Sequence, residues 1–340
     1  MSTTSQVTTF SDMITNLSNR IRVSTGVTAT ETQLKTALNT ALHDCHLGTD
    51  YRLPWAERRA VIRTQDDYTT GTVTTTKGST AVTGSSTLWN TANDFSVNNA
   101  RANGRIVFSG SRTPYIVSSV TNDTAIVLTE RFTETSLAAG STYTYYEDEY
   151  DLASDFLRPI DMQRFSSEMS VDLISRTEFR RRYPVNSTLG KPSVATILDF
   201  APSGNTTPIR RVKFAPAPND FLQIPYTYVT SNLAVSSAGS AQANLSADAD
   251  EPIVPLRYRH AIVLHALASL YRDKKDDTRS QEAKAEYVDI MTRIIVDTEV
   301  GAPRPQLRPR VGGYVGAAKR PYSRGGARRF DMGNFDNMGD

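Results

Sequence analysis

Apolar residues recur at helical spacing in several stretches of the chain. Phe10, Ile14, Leu17 and Ile21 share one face behind Ser11 or Asp12 as candidate caps, which predicts a first helix. Thr30 and Gln33 have the spacing of a capping box, and Leu34, Leu38, Leu42 and Cys45 form a stripe beside Ala37 and Ala41. This predicts a second helix, ended by Gly48. Residues 255–271 (PLRYRHAIVLHALASLY) are apolar nearly all round, as in a helix buried by its neighbours. After the charged turn RDKKDDTRS, Gln281–Asp297 places Tyr287, Ile290, Met291, Ile294 and Ile295 on one stripe. The last two helices are expected to form an antiparallel hairpin packed on the first pair. A further amphipathic helix is expected in SVDLISRTEFRRRY, with Leu173, Ile174 and Phe179 as its apolar side.

Between about Tyr68 and Tyr146 the pattern changes to alternation of Val and Thr in a Thr, Ser, Gly and Asn background. TGTVTTTKGSTAVTG reads as two short strands around a Lys77-Gly78 turn. Strands are then expected over Arg105–Ser109, Tyr115–Val120 and Ala125–Thr129, with turns at Gly110 and Asn122-Asp123, before STYTYYEDEY returns the chain. Strands this short and evenly spaced predict a small sandwich or barrel. The flanks RRAVIRTQDDY and YTYYEDEYDL are expected to pair as a stem at its base. Beyond it, DFLRP re-enters the frame with Asp155 and Pro159 as punctuation. Ser193–Phe200, Ile209–Phe214 and Leu222–Val229, separated by Gly204 and APAPND, read as an antiparallel meander, and Ser231–Asp250 as a polar loop.

The expected fold class is therefore α+β. It comprises a helical frame (an N-terminal helix pair plus a C-terminal helix hairpin) with a small antiparallel meander, an inserted all-β domain and an extended basic C-terminal arm. The expected divisions are frame over residues 1–67, inserted β-sandwich or barrel over 68–150, frame resumed over 151–300, and tail over 301–340.

Charge sharpens the reading of the tail. The chain has 38 Lys and Arg against 36 Asp and Glu. The stretch after Val300 holds eight of those bases and three acids (Asp331, Asp336 and Asp340), so the body is near −3 and the arm near +5. Between Gly301 and Phe330 the basic residues are Arg304, Arg308, Arg310, Lys319, Arg320, Arg324, Arg328 and Arg329, and no acid occurs. Prolines and glycines separate them, and Tyr314 and Tyr322 are the only aromatic residues before Phe330. Such a segment buries too little apolar area to offset the entropy of ordering, so an extended arm is expected. At about 3.3 Å per residue it reaches on the order of 130 Å. These basic and aromatic residues are the candidate binding residues, docking on a partner or on an adjacent subunit, with transient non-specific contact with DNA as the rival use of the charge.

Other chemistry is sparse. Cys45 is the only cysteine, which excludes an internal disulfide and suits folding in a reducing cytoplasm. The opening MSTTSQVTTFSDMITNL lacks the features of a signal peptide. No apolar run approaches the roughly 20 residues that span a bilayer, so no membrane partner is expected. Asn-x-Ser/Thr triplets at Asn122, Asn186 and Asn205 are read as loop composition. No nucleotide-binding, zinc-protease or nucleophile-elbow motif occurs, so no enzyme, catalytic residue or cofactor is expected. His43 and His46 share a helical face, but a fourth metal ligand is not obvious, so both are expected at the surface and no metal is expected. His260 and His265 diverge around their helix and are expected to be satisfied polar groups. Asp66-Asp67 and Glu147-Asp148-Glu149 are expected as solvated charge at strand ends, and Arg180-Arg181-Arg182 as a solvated face or subunit contact. Tyr143, Tyr145 and Tyr146 are candidates for stacking on sugars, or for core.

One block carries a resemblance. A strand ending in KFAPAP, the strand LQIPYTYV, the polar loop to DADEPIVPLRYRHAIVLHALASLY and the closing AKAEYVDIMTRII follow one another in order. With the N-terminal helix pair and DFLRP, this order resembles the head-to-tail adaptors (tail tubular A-type) of tailed bacteriophages. VTGSSTLW resembles β-modules of such phage proteins. The resemblance implies a non-enzymatic virion protein of the neck, made in the host bacterial cytoplasm. It also implies assembly with itself into a ring, commonly of twelve, that contacts the portal protein and the tail, nozzle or tail-terminator proteins. Alternatives are another neck or tail protein, such as a stopper or tail hub, and a glycan-binding module built on the β-domain.

Overall fold

The computed structural model describes residues 7–23, 28–47, 53–162, 171–198, 201–202 and 208–298. Among these are five α-helices: α1 (Phe10–Ile21), α2 (Thr28–Leu47), α3 (Arg176–Arg182), α4 (His260–Asp273) and α5 (Asp277–Thr298). The strands begin with β1 (Glu57–Arg63), β2 (Thr72–Thr75), β3 (Ala81–Ser85), β4 (Arg105–Phe108), β5 (Tyr115–Asn122), β6 (Ala125–Leu128) and β7 (Leu137–Ser141). They continue with β8 (Tyr143–Tyr146), β9 (Glu149–Asp151), β10 (Phe156–Met162), β11 (Asp172–Leu173), β12 (Val194–Ile197), β13 (Ala201–Pro202) and β14 (Pro208–Ile209). The last are β15 (Arg211–Ala215), β16 (Gln223–Thr230), β17 (Ala234–Val235), β18 (Ala241–Gln242) and β19 (Glu251–Pro252). The fold is mixed α+β. Contacts divide the chain into Met1–Tyr287 and Val288–Asp340, and the described part of the second is the end of α5.

Helices α1, α2 and α4 pack together. The α1 stripe is Phe10, Met13, Ile14 and Leu17, all buried, while Ile21 stays partly exposed. Its cap is Thr9, not Ser11 or Asp12. Thr9 Oγ1 accepts from the Asp12 amide at 3.3 Å, and the Asp12 carboxylate accepts from the Thr9 amide at 2.9 Å. The N-cap must itself be extended, and Thr9 is, whereas Ser11 and Asp12 are already helical. Helix α2 begins at Thr28, so Thr30 and Gln33 lie inside it and form no capping box. The predicted stripe of Leu34, Leu38, Leu42 and Cys45 is buried. Gly48 lies outside the described residues. Helix α4 buries Ala261 to Leu264 consecutively, the signature of a helix covered on most sides. Helix α5 starts at Asp277, four residues before the expected Gln281, because the Asp276 carboxylate accepts from the Arg279 amide at 3.2 Å and nucleates the first turn. Arg259, before α4, donates to Val254 O at 2.9 Å and to Glu251 at 2.9 Å, and also reaches Thr8 O, tying the segment before α4 to the one before α1.

The expected meander is divided between two sheets. Strand β16 lies between β1 and β10, antiparallel to both, in the order β1-β16-β10. Strand β15 sits in a second sheet, β11-β12-β15-β9. Strands β12 and β15 pair as expected, but β9 occupies the other edge of β15, so β16 finds its partners elsewhere. DFLRP opens β10, and Asp155 accepts from the hydroxyls of Tyr228 and Thr230, each at 2.7 Å. Facing residues of the two sheets, including Ile62, Phe156, Phe214, Ile224 and Tyr226, form one core. The expected helix over SVDLISRTEFRRRY is confined to Arg176–Arg182. Ser175 caps it through the Glu178 amide at 3.3 Å, and Leu173 pairs with Ala195 as a strand. The polar loop after Ser231 contains β17 and β18, which with β19 make a small sheet. Gly204 is outside the described residues.

The Thr-rich region forms one seven-stranded antiparallel sheet, in the order β7-β2-β3-β6-β5-β4-β8. Its edge strands β7 and β8 are separated in the chain by Thr142 alone, so the sheet is rolled until its edges approach. Its inner face closes on Trp89, Ile106, Phe108, Val117, Phe132 and Tyr145. Gly104 is required at the rim, where a Cβ would lie 2.1 Å from the Tyr145 hydroxyl. The expected two-strand stem is reduced to one bridge, Tyr68 to Tyr145, with amide-to-carbonyl bonds of 2.8 and 2.9 Å. The flanks do not pair further because β1 pairs with β16 and β9 with β15.

Candidate functional site

Glu147-Asp148-Glu149, expected as solvated charge, is instead a paired network joining β8 to β9. Arg101 Nε donates to Glu147 at 2.9 Å, with a second guanidinium bond to the same carboxylate. Arg105 donates to Asp148 at 3.0 Å and also to Glu149. Lys213 from β15 bonds both Asp148 (3.0 Å) and Glu149 (3.1 Å). Asn186 completes the shell, donating to Asp148 at 3.2 Å and to Phe214 O at 2.7 Å. It is thus a buried structural amide rather than loop composition. Asn122 ends β5, and Asn205 is outside the described residues.

Tyr143, Tyr145 and Tyr146 are buried and offer no face to a sugar. Tyr145 donates to Glu147 at 2.8 Å, Tyr146 to Asn186 O at 2.7 Å, and Tyr143 to Thr70 O at 2.8 Å. Burial raises all three phenols above their ordinary pKa, so they remain neutral donors. Carboxylates whose oxygens are occupied by fixed cations and phenols are poor general bases. The network joins the rolled sheet to the sheet that holds β15.

The histidines part company. His46 is buried, not at the surface. Its Nδ1 bonds Leu42 O at 2.8 Å and its Nε2 accepts from the Trp55 indole at 3.1 Å. An indole only donates, so Nε2 is bare and His46 is neutral. Burial lowers its pKa accordingly. His43 instead reaches Asn244 at 2.6 Å. Burial pushes the Cys45 thiol up to about 12, against a hydrogen bond with Tyr287. His260 contacts Arg20 at 3.1 Å, and His265 meets Asp44 at 3.2 Å while stacking on Tyr287 at 4.7 Å. Among the described residues no three His, Cys, Asp or Glu side chains are placed to hold a metal ion.

Arg180, Arg181 and Arg182 are exposed on α3, the last two beside Glu178 at 3.5 and 2.6 Å. Phe95, 61% exposed, lies against Phe221 with ring centroids 4.2 Å apart. The pair flanks a cleft of about 340 Å³ that also takes in Gln65, Val97 and Leu222. Nothing in the sequence marked Phe95, since a single phenylalanine in a polar loop has no periodicity. The arm residues Arg304, Arg308, Arg310, Tyr314, Lys319, Arg320, Tyr322, Arg324, Arg328, Arg329 and Phe330 lie outside the described residues. No helix among those described is long and apolar enough to cross a membrane.

No curated protein matches the chain. The family model for the SU10 adaptor protein matches residues 115–310, from β5 to the first basic residues after α5. That is more than half of the sequence, and the protein belongs to the SU10 adaptor family, the head–tail adaptors of bacteriophages, as a structural component of the virion.

Proposed function

We propose that this chain forms a ring, of twelve subunits by analogy with the tail tubular A-type adaptors, that joins the portal to the tail and lines part of the DNA channel. The family match over residues 115–310 carries the reading. In this scheme the rolled sheet of residues 68–150 is an inserted domain that meets tail components, and the residues around it, 1–67 and 151–300, form the ring body. The arm, 301–340, docks on the portal or on an adjacent subunit. Arginine suits that role because its planar fork makes two bonds to one carboxylate, and Tyr314, Tyr322 and Phe330 supply anchors. A weak contact repeated around a ring gives strong overall attachment.

The test is electron microscopy of the purified protein mixed with portal. A ring added beneath the portal is expected, and its absence would remove the adaptor reading in favour of another neck component. A chain truncated after Val300 is expected to stay folded and to lose stable attachment. Binding of the arm to free DNA with a steep salt dependence would instead assign its charge to the genome.

A further inference from the structure

The Phe95–Phe221 cleft has three properties that a surface hollow seldom combines. First, its aromatic wall is held out by a structured loop. Asn93 Oδ1 accepts from the Phe95 and Val97 amides at 2.9 and 3.2 Å, and Gln65 Nε2 clamps Asn98 O and Asn99 O at 2.9 and 3.2 Å. Second, Gln65 is 4% exposed and lines the cleft, yet among the described residues its Oε1 meets no hydrogen-bond partner. A buried acceptor left without a donor is costly, which suits a site awaiting one. Third, Asp66 and Asp67 follow the lining residue Gln65 and Asp220 precedes the lining residue Phe221, and no ion pair among the described residues engages them. Burial first, then the charges of Asp67 and Asp220, raise the Asp66 carboxyl above its usual range. Of the two cations lining the cleft, Arg63 and Arg101, the second is committed to Glu147.

The complementary ligand is a cation with several N–H donors, carried on an extended segment with aromatic residues and no acid. Residues 301–330 have that composition. We infer that the cleft receives the basic arm of a neighbouring copy of this chain, a guanidinium reaching the Asp66–Asp67–Asp220 rim and Gln65 Oε1 while an arm tyrosine packs on Phe95 and Phe221. The inference rests on the ring reading only for the presence of neighbouring copies. It adds a receiving site, so that the arms staple one subunit to another.

A fluorescent synthetic peptide of residues 301–330, titrated into the full-length protein, supplies the arm in trans. Saturable binding is expected, weakened at least about tenfold by Phe95→Ala and by the double change Asp66→Asn, Asp67→Asn. Val185→Ala, at another exposed apolar position, is expected to leave it unchanged. Circular dichroism melts check that each variant is folded. Equal binding to the variants, or equal binding of a scrambled peptide of the same composition, would overturn the proposal. A photo-crosslinker at position 95 in mixed light and isotopically heavy copies is expected to capture residues 301–330 across copies. Capture within one copy only, or capture of portal protein instead, would also overturn it. Ring formation, read separately by microscopy, keeps the two readings apart: intact rings with no peptide discrimination sink this inference alone.

Discussion

Arg105 and Asp148 meet at 3.0 Å across 43 residues of sequence, a guanidinium of the rolled sheet on a carboxylate that β15 also holds through Lys213. Their side chains are 11% and 2% exposed, so the pair is a buried one. Removing one partner of a buried pair leaves the other uncompensated and costs about 3–5 kcal/mol. Because Lys213 still pairs with Asp148, Arg105→Leu is expected to lower unfolding free energy in a denaturant titration by less than that. Asp148→Asn in the same chain is expected to restore part of it; no restoration would mean that the two are not coupled.

The same network qualifies the independence of residues 68–150. Replacing residues 70–146 with a Gly/Ser linker removes Arg101 and Arg105 while leaving Glu147 and Asp148 behind. The remainder is expected to keep its helical circular dichroism but to melt lower, with Asp148→Asn raising the melting temperature again. Loss of the helical signal would show that the sheet is part of one cooperative core.

Leu264 is buried in α4, with its neighbours Val263 and Ala266. Leu264→Ala is expected to cost about 2–5 kcal/mol. Leu264→Asp, which buries an unpaired charge, is expected to prevent folding. A soluble Leu264→Asp protein with native helicity would contradict the buried position of α4.

His46 ties stability to acid. Its folded pKa lies below the ordinary 6.5 because burial disfavours the charged ring, so the unfolded chain takes up the proton first. This contribution is complete above about pH 6.5 and is lost as pH falls through the depressed value. The denaturant midpoint is expected to fall from pH 7.5 to 5, with a shallower fall in His46→Gln. Identical slopes would place the titration elsewhere.

Cys45 has the opposite sign. Its thiol is raised from 9.0 to about 12, so its contribution is full below the unfolded value and declines between these limits as the unfolded chain ionises first. At pH 8 the folded protein is expected to resist a thiol reagent and to react fully in denaturant. Rapid reaction of the native protein would mean that the α2 stripe opens.

Local pattern was enough to locate α1, α2, α4 and α5 and most strands of the rolled sheet. Leu34, Leu38, Leu42 and Cys45 share a face because 3.6 residues make a turn, and Val73 and Val82 turn inward because side chains alternate along a strand. Those rules act over a few residues, and the sequence by itself carries them. The charge and proline content of residues 301–330 need no fold and are read from the sequence alone. The partner of each strand was decided by the tertiary structure. Gln223–Thr230 is as good a neighbour for β15 by pattern as for β1, and only the occupation of β15 by β9 sends it away. Glu147, Asp148 and Glu149 read as surface because burying a carboxylate is unfavourable unless cations arrive, and theirs come from Arg101, Arg105 and Lys213, 43 to 65 residues distant. Phe95 and Phe221 meet across still more chain, in a contact neither residue's neighbours encode. Burial of charge and the building of a cleft depend on which distant segments converge, and that is a property of the packed whole.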